Sequence, residues 1–449
     1  MEEKRIESSV MEVPSDLSST HLSTLGEPSR DEFYTNYPFF KYWSSAHNLE
    51  VQQPKGINIY IHIPFCIQIC DFCFYMKELI KSKDQVDQYV QSVCAEIKIV
   101  SERFALTNRK VNAVYIGGGT PSVLTERQLN ILVETLNKYH NIAEAEFTFE
   151  AEPGTFTATK LSWYRDCGIN RISMGVQSFN DEIIKLSSRK HTSQQAVSSV
   201  KLVQDYNSFK LNIDLLSGLA GETMTTWRES VNTALGLQVD MLTIYKMKTY
   251  ANTVFFQKGV HKNDIVLPSK DEEIAFMTEA INIIYENQYE LWTNFAFTKD
   301  GSKHFYAENT WRGEDLVAYG NSSFGNINGF NYQNLNNLPA YSKKVSDGEM
   351  PIYRSYKLTY KDKIIKELLL CASRLVSYSK AEFINKFGFD YFELIPEHIN
   401  SLIGQGYIEN NWDELVPTRK GILFGDFVSK TIAEKVKDVL GKDKIGFSY

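Results

Sequence analysis

Cys66, Cys70 and Cys73 stand within eight residues of one another in "CIQICDFC", while the whole 449-residue chain has only six cysteines. Thiolates are strong, soft donors for zinc and for iron–sulfur clusters, and a loop leaving a strand end can turn three of them onto one compact cofactor. Two chemistries are open at that spacing. One is a zinc site, with His62 or a distant cysteine as the fourth ligand, because zinc prefers four tetrahedral donors. The other is a [4Fe–4S] cluster with one iron left without a protein ligand. Cys94 falls inside a predicted helix, Cys167 near a helix end and Cys371 in an apolar helical run. Each reads as a small buried hydrophobe rather than a further ligand.

The elements that would position the thiols repeat along the chain. "INIYIHI" (57–63) predicts a strand and 82–105 a helix. "VNAVYIGGG" (111–119) predicts a strand running into a glycine turn, with a helix from about 125. Strands follow at 144–154, 169–179, 210–219 and 239–247, each separated from the next by a helical stretch. Six β-α repeats argue for parallel strands, and six are too few for a closed eight-stranded barrel. The expected fold is therefore α/β, a partial (β/α)6 TIM-like barrel with a small winged-helix-like C-terminal domain. In such a barrel the chemistry sits at the C-terminal strand ends.

Those ends carry the remaining candidates. Gly117, Gly118 and Gly119, followed by Thr120, end the second strand and let backbone approach a ligand with no Cβ in the way. Glu150 offers a carboxylate to an ammonium. Arg189 can grip a carboxylate in bidentate fashion, and Asp214 can hold a hydroxyl or a sulfonium. Gln177, Tyr60, Tyr245 and Lys246 complete the set; the last two close the sixth strand.

The rest of the chain divides by composition. Residues 1–31 read as a disordered polar arm and 32–54 as an aromatic segment. The barrel takes 55–250, an irregular substrate-side extension 251–357, and the helical C-terminal domain 358–449. The net charge of −7 leaves no basic excess to neutralise phosphates, which excludes nonspecific nucleic-acid binding. No apolar run reaches the ~18 residues of a membrane span, and the start "MEEKRIESSV" lacks a secretory apolar stretch. The expected compartment is the cytoplasm.

The C-x3-C-x2-C spacing resembles the signature of radical S-adenosylmethionine (SAM) enzymes. With "YIHIPFC", "YIGGGTPS", "FEAEPG", "RISMGVQSF", "SRKH" and "IDLLSGLAGET" in order, the chain resembles the oxygen-independent coproporphyrinogen III oxidase family within that superfamily. The resemblance implies that Cys66, Cys70 and Cys73 hold a [4Fe–4S] cluster whose open iron is chelated by SAM. It also implies that Tyr60, Gly117, Gly118, Gly119, Thr120, Glu150, Gln177, Arg189 and Asp214 contact SAM. A reductant such as flavodoxin or ferredoxin would supply the electron that cleaves SAM to methionine and a 5′-deoxyadenosyl radical.

Within the family the oxidase motif continues with a further cysteine, whereas Phe74 and Tyr75 follow Cys73 here. The reading carried forward is the class C methyltransferase branch. It binds two SAM molecules and methylates an sp2 carbon of a flat conjugated acceptor, such as a quinone (menaquinone) or a tetrapyrrole. Tyr245 and Lys246 would border the second SAM. Two aromatic groups would suit the acceptor: Phe33, Tyr34, Tyr37, Phe39, Phe40 and Trp43 in the N-terminal segment, and Phe305, Tyr306, Trp311, Phe324, Phe330 and Tyr332 further on. The alternatives are coproporphyrinogen III oxidase and heme chaperone; His304 lies too far from Trp311 and is not followed by Asn, so it reads as an ordinary loop histidine and the chaperone ranks last. A monomer is expected. A lipid quinone would need peripheral membrane contact, for which the last helix, "FGDFVSKTIAEKVKDVLGK", is amphipathic enough.

Overall fold

The computed structural model describes residues 36–44, 56–370, 374 and 377–441. The polar arm, Phe33, Tyr34 and Cys371 lie outside the described residues.

Six parallel strands run in chain order: β1 (Ile57–Ile63), β2 (Val111–Gly118), β3 (Glu146–Ala151), β4 (Arg171–Gln177), β5 (Lys210–Ser217) and β6 (Met241–Lys246). Helices α1 (Lys83–Arg103), α2 (Glu126–Tyr139), α3 (Ala158–Asp166), α4 (Asp181–Leu186), α5 (Ser193–Tyr206) and α6 (Met224–Gly236) fall between them. β1 is buried at every position but Tyr60. Its four isoleucines take one face and Asn58, Tyr60 and His62 the other, so a polar face is covered as well as an apolar one. Capping boxes start α2 (Thr125/Gln128) and α5 (Thr192/Gln195), satisfying the first amide N–H groups that a helix leaves unpaired.

The sheet does not stop at six strands. β7 (Glu290–Thr293) and β8 (Ala296–Thr298) add antiparallel strands beyond β6. On the other edge β9 (Asp315–Tyr319) runs parallel to β1, and β10 (Phe324–Ile327), β11 (Phe330–Asn334) and β12 (Ile352–Lys357) continue antiparallel. The irregularity expected of residues 251–357 is thus corrected: they carry six strands of one 12-stranded sheet. Asn328 (φ 53°) and Gly329 (φ 79°) form the two-residue hairpin turn between β10 and β11, where both positions need positive φ.

Two more helices, α7 (Lys270–Glu286) and α8 (Phe305–Trp311), come from the same region. α8 lies at the N-terminal strand ends. Glu146, the first residue of β3, accepts the amide hydrogens of Phe305 and Tyr306, and Asn309 donates to Asn58 of β1. The bottom of the barrel is thereby plugged. His304, expected to be an ordinary loop histidine, is part of that plug, 3.7 Å from Glu146 and held neutral by burial, well below its usual pKa.

After α9 (Leu338–Ser346), the C-terminal part is helical: α10 (Tyr360–Leu370), α11 (Lys380–Phe387), α12 (Tyr391–Leu394), α13 (Pro396–Gly404), α14 (Arg419–Leu423) and α15 (Gly425–Val439). A two-stranded antiparallel wing of Tyr378–Ser379 and Glu414–Leu415 joins them. α15 corrects the membrane expectation. Its residues 425–433 and Val436 are buried, so its apolar face is taken up inside the protein and is not available to a lipid surface. Among the described residues no helix is long and apolar enough to cross a membrane.

Candidate active site at the strand C-termini

The cysteine loop begins where β1 ends. A two-residue parallel ladder between Phe65–Cys66 and Glu78–Leu79 ties its base. Cys73 donates its amide to the Cys70 carbonyl, Asp71 donates to Ser187, and Phe255 donates to Asp71. Held on three sides, the loop presents Cys66, Cys70 and Cys73 to one cavity of about 440 Å³. Burial pushes the Cys66 thiol up to about 12 and the Cys70 thiol up to about 11. The Arg189 guanidinium, 3.4 Å from Cys70 Sγ, acts in the opposite sense and favours the thiolate.

The donor set separates the two chemistries left open by the spacing. His62 has both ring nitrogens engaged: Nδ1 with the Tyr60 hydroxyl at 3.0 Å and Nε2 with the Met76 carbonyl at 3.1 Å. Burial takes its pKa to about 4. It is therefore not placed to complete a zinc tetrahedron. Cys94 Sγ faces the Ile131 carbonyl and Cys167 Sγ the Asn130 side chain, both between helices and away from the cavity. Three thiols on one cavity wall, a cation against one of them and open space in front fit a cluster with one iron free for a small-molecule ligand.

The glycine turn packs against this loop. Gly118 takes φ +120°, and a Cβ there would lie 2.6 Å from the His62 ring; one on Gly119 would lie 2.7 Å from the Pro64 carbonyl. Only glycine allows so close an approach. Glu150 accepts from the Gly118 amide (2.8 Å) and the Tyr115 hydroxyl (2.7 Å), and burial raises its carboxyl to about 7. Asp214 accepts from Ser173 (3.1 Å) and Asn212 (2.8 Å) and is raised by burial to about 6. Gln177 ends β4 at φ +71°, beside a register shift. A non-glycine residue held there is strained, and such strain concentrates at functional positions.

The three cysteines and all the candidates for SAM contact line this one cavity except Gly117, whose neighbours are the Tyr115 ring and Glu150. Tyr245 and Lys246 border its far side, with Lys246 Nζ 3.0 Å from Glu273 of α7. Sequence reasoning missed Glu152. It is buried, accepts from Thr120 (3.3 Å) and Gln68 of the cysteine loop, and pairs with Arg189 at 3.1 Å. The signal was present: residues two apart on a strand share a face, so Glu150 implies Glu152.

The aromatic expectation needs correction. Phe40 stacks on Phe324 with Arg354 over its ring, and Phe330 and Tyr332 are core residues of the sheet edge. Among the described residues, none of the aromatics nominated from the two segments lines the cavity. The aromatic residues that line it are Tyr60, Phe72, Phe74, Tyr75, Tyr115, Tyr245, Tyr250, Phe295 and Phe424. Phe74 lies against both Tyr75 and Tyr250 at 4.2 Å between ring centroids. Phe424, Gly425 and Asp426 come from the start of α15, and Arg374 holds them there: it pairs with Asp426 at 2.8 Å and stacks on Trp311 at 4.7 Å.

Comparison with known proteins agrees with this geometry. Residues 60–234 match the Radical SAM superfamily. The heme chaperone HemW of Bacillus subtilis is 30% identical over 377 residues, 83% of this chain and 97% of that protein. The anaerobilin synthase of Escherichia coli O157:H7 is 28% identical over 313 residues, 69% of each. The oxygen-independent coproporphyrinogen III oxidase of Helicobacter pylori (strain J99) is 25% identical over 386 residues, 80% of this chain and 83% of that one. The solved coproporphyrinogen III oxidase HemN of Escherichia coli superposes with a TM-score of 0.78 at 22% identity, covering 89% and 97%. With its fold, its cysteine loop and a relative matched over nearly its whole length, the chain belongs to the radical SAM family of the oxygen-independent coproporphyrinogen III oxidases and HemW proteins, which use a [4Fe–4S] cluster and SAM.

Proposed function

We propose that this protein directs a SAM-derived radical at a tetrapyrrole. The observation that carries the reading is one cavity lined both by the three thiols and by the Phe74–Tyr75–Tyr250 shelf, whose first two residues follow them on the loop. A flat conjugated ligand suits an aromatic shelf. The names of three relatives, a heme chaperone, an anaerobilin synthase and a coproporphyrinogen oxidase, all denote tetrapyrroles, which favours that acceptor over a quinone.

When bound, the reduced cluster supplies the electron that cleaves SAM. Cys66, Cys70 and Cys73 would hold three of its irons. Glu150, raised by burial, gains from an ammonium brought beside it, and the Gly118–Gly119 backbone lets the cysteine loop pack close to that position. Glu152 fixes Arg189 and, through Gln68, the cysteine loop. Asp214, backed by Ser173 and Asn212, offers its carboxylate to ribose hydroxyls. The buried strand ends keep water from a reactive carbon centre.

Methyl transfer to an sp2 carbon is the reaction we favour. Phe74 and Tyr75 stand where the oxidase pattern has a further cysteine, and Tyr245, Lys246 and Lys248, which would border a second SAM, line the same cavity as Asp214. The test is product analysis with SAM, dithionite and heme or coproporphyrinogen. 5′-Deoxyadenosine and S-adenosylhomocysteine rising together support methyl transfer. 5′-Deoxyadenosine alone points to decarboxylation or another radical reaction. Stoichiometric heme binding with no SAM turnover supports the heme-delivery reading, which the near-complete match to heme chaperones makes the second choice.

A further inference from the structure

Lys77 stands apart from the other cations of the cavity. Its ammonium donates to the Cys73 carbonyl and, at 3.3 Å, to the Tyr75 carbonyl, and no carboxylate among the described residues pairs with it. The other charges of the cavity have partners. Arg189 pairs with Glu152, Lys246 with Glu273 and Asp426 with Arg374. Glu150 and Asp214 are held by donors at the strand ends, on the side read above as the SAM site. Lys248 lies over the Tyr250 ring at 5.8 Å. Two further acids are near in sequence. Glu78 belongs to the ladder at the base of the loop and does not line the cavity, and Asp71 faces Lys258. A partly buried ammonium whose protein partners are neutral carbonyls gains from an anion brought beside it.

The place of that ammonium indicates which kind of anion. Tyr75 keeps 57% of its surface open in the cavity it lines, and Phe74 lies against both Tyr75 and Tyr250. The carbonyls of this stretch are all engaged, those of Cys73 and Tyr75 by Lys77 and that of Phe74 by Asn252 at 3.3 Å. The aromatic shelf is thus braced from behind, with a cation bound to its own backbone. A flat ligand with an acid group at its periphery meets both features, whereas a neutral ring meets only the shelf.

We propose that Lys77 binds a carboxylate of the acceptor and so selects ring systems that bear acid side chains over neutral ones. The inference rests on the function proposed above, which puts the acceptor on this shelf. SAM carries a carboxylate too, so the experiment separates the two sources.

The test measures binding of coproporphyrin III, and of its tetramethyl ester, which is the same ring without its charges, to the reconstituted full chain by fluorescence titration. Wild type should bind the free acid roughly tenfold more tightly than the ester, with the preference shrinking as salt screens it. Lys77→Met should remove most of that preference by weakening the acid alone, and Lys77→Arg, which keeps the charge, should retain it. A role confined to bracing the loop would instead weaken acid and ester alike and leave their ratio unchanged. Equal binding of acid and ester by wild type, or an undiminished preference in Lys77→Met, would overturn the inference. Weaker SAM binding in Lys77→Met with that preference intact would assign the carboxylate to SAM and overturn it as well. The function proposed above fails separately. A loaded protein that shows the Lys77-dependent preference but never cleaves SAM would defeat the radical reading and leave the carboxylate site standing.

Discussion

The cavity has two walls, and they differ in how far along the chain their residues are gathered. The thiol wall comes from strand ends and the loops directly after them: Cys66, Gly118, Glu150, Gln177 and Asp214 each lie at the end of one of β1–β5 or within a few residues of it. The other wall is assembled from Tyr250, Phe295 and the start of α15 at Phe424–Asp426, held by the Arg374–Asp426 pair. Strand register positions the first wall, so local sequence determines it. The second is gathered from the segment after β6, the β7–β8 turn and the docked start of α15, so only the folded chain brings it together. On the function proposed above, cofactor chemistry belongs to the first wall and the choice of acceptor to the second.

Substitutions on each wall can break that division. Cys70→Ala, on the thiol wall, has the largest expected effect: loss of cluster absorbance and of all SAM cleavage in a protein that keeps its far-ultraviolet circular dichroism. Iron content and 5′-deoxyadenosine formation near wild type would refute the cluster assignment.

Arg374→Met, behind the second wall, leaves Asp426 buried without that partner. Removing one member of a buried pair costs about 3–5 kcal/mol. Urea unfolding should show this loss, and acceptor-dependent turnover should fall while SAM cleavage without acceptor persists. Parallel loss of both activities would mean the walls are not separable.

Glu150→Gln returns to the thiol wall and tests ligand binding without removing a thiol. A hydrogen bond to a charged group is worth about 1.5–3 kcal/mol, so SAM affinity should fall roughly ten- to a hundredfold by calorimetry, with the cluster retained. An unchanged affinity would remove Glu150 from the SAM site.

The smallest effect lies in the scaffold behind the thiol wall. Glu96 of α1 is buried, accepts from Gly320, Asn334 and Tyr341, and is raised by burial to about 7 from its usual 4.5. The folded state thus holds a proton that the unfolded state has released between those values. Its contribution to stability falls as pH rises through that window, by at most about 1.4 kcal/mol per pH unit. Denaturant melts of wild type and Glu96→Gln across the window should diverge accordingly; parallel curves would mean that Glu96 is ionised at low pH in the folded protein.

Legibility followed the same division. The six parallel strands and the residues at their ends could be read because isoleucines at alternate positions mark a strand such as β1 and glycines and acids punctuate strand ends. Glu152 was overlooked although its spacing from Glu150 places it on the same face. The six strands of 290–357 were not seen, since Phe324–Ile327 and Phe330–Asn334 are short and Asn-rich, and only the Asn328–Gly329 turn marks the hairpin. The aromatic side chains of the acceptor wall were sought in the wrong segments. Composition shows that Phe40 and Phe324 are aromatic; it does not show that they stack on each other at the sheet edge. The apolar face of α15 was visible, but whether lipid, solvent or α10 covered it depended on packing.

The most direct test of the central claim is to measure 5′-deoxyadenosine by mass spectrometry after anaerobic reconstitution. Wild type and Cys70→Ala would be incubated with SAM and dithionite, with and without heme or coproporphyrinogen. The account predicts 5′-deoxyadenosine from wild type alone, increased by the tetrapyrrole. A fully loaded cluster that yields no more 5′-deoxyadenosine than the Cys70→Ala protein under every condition would contradict it.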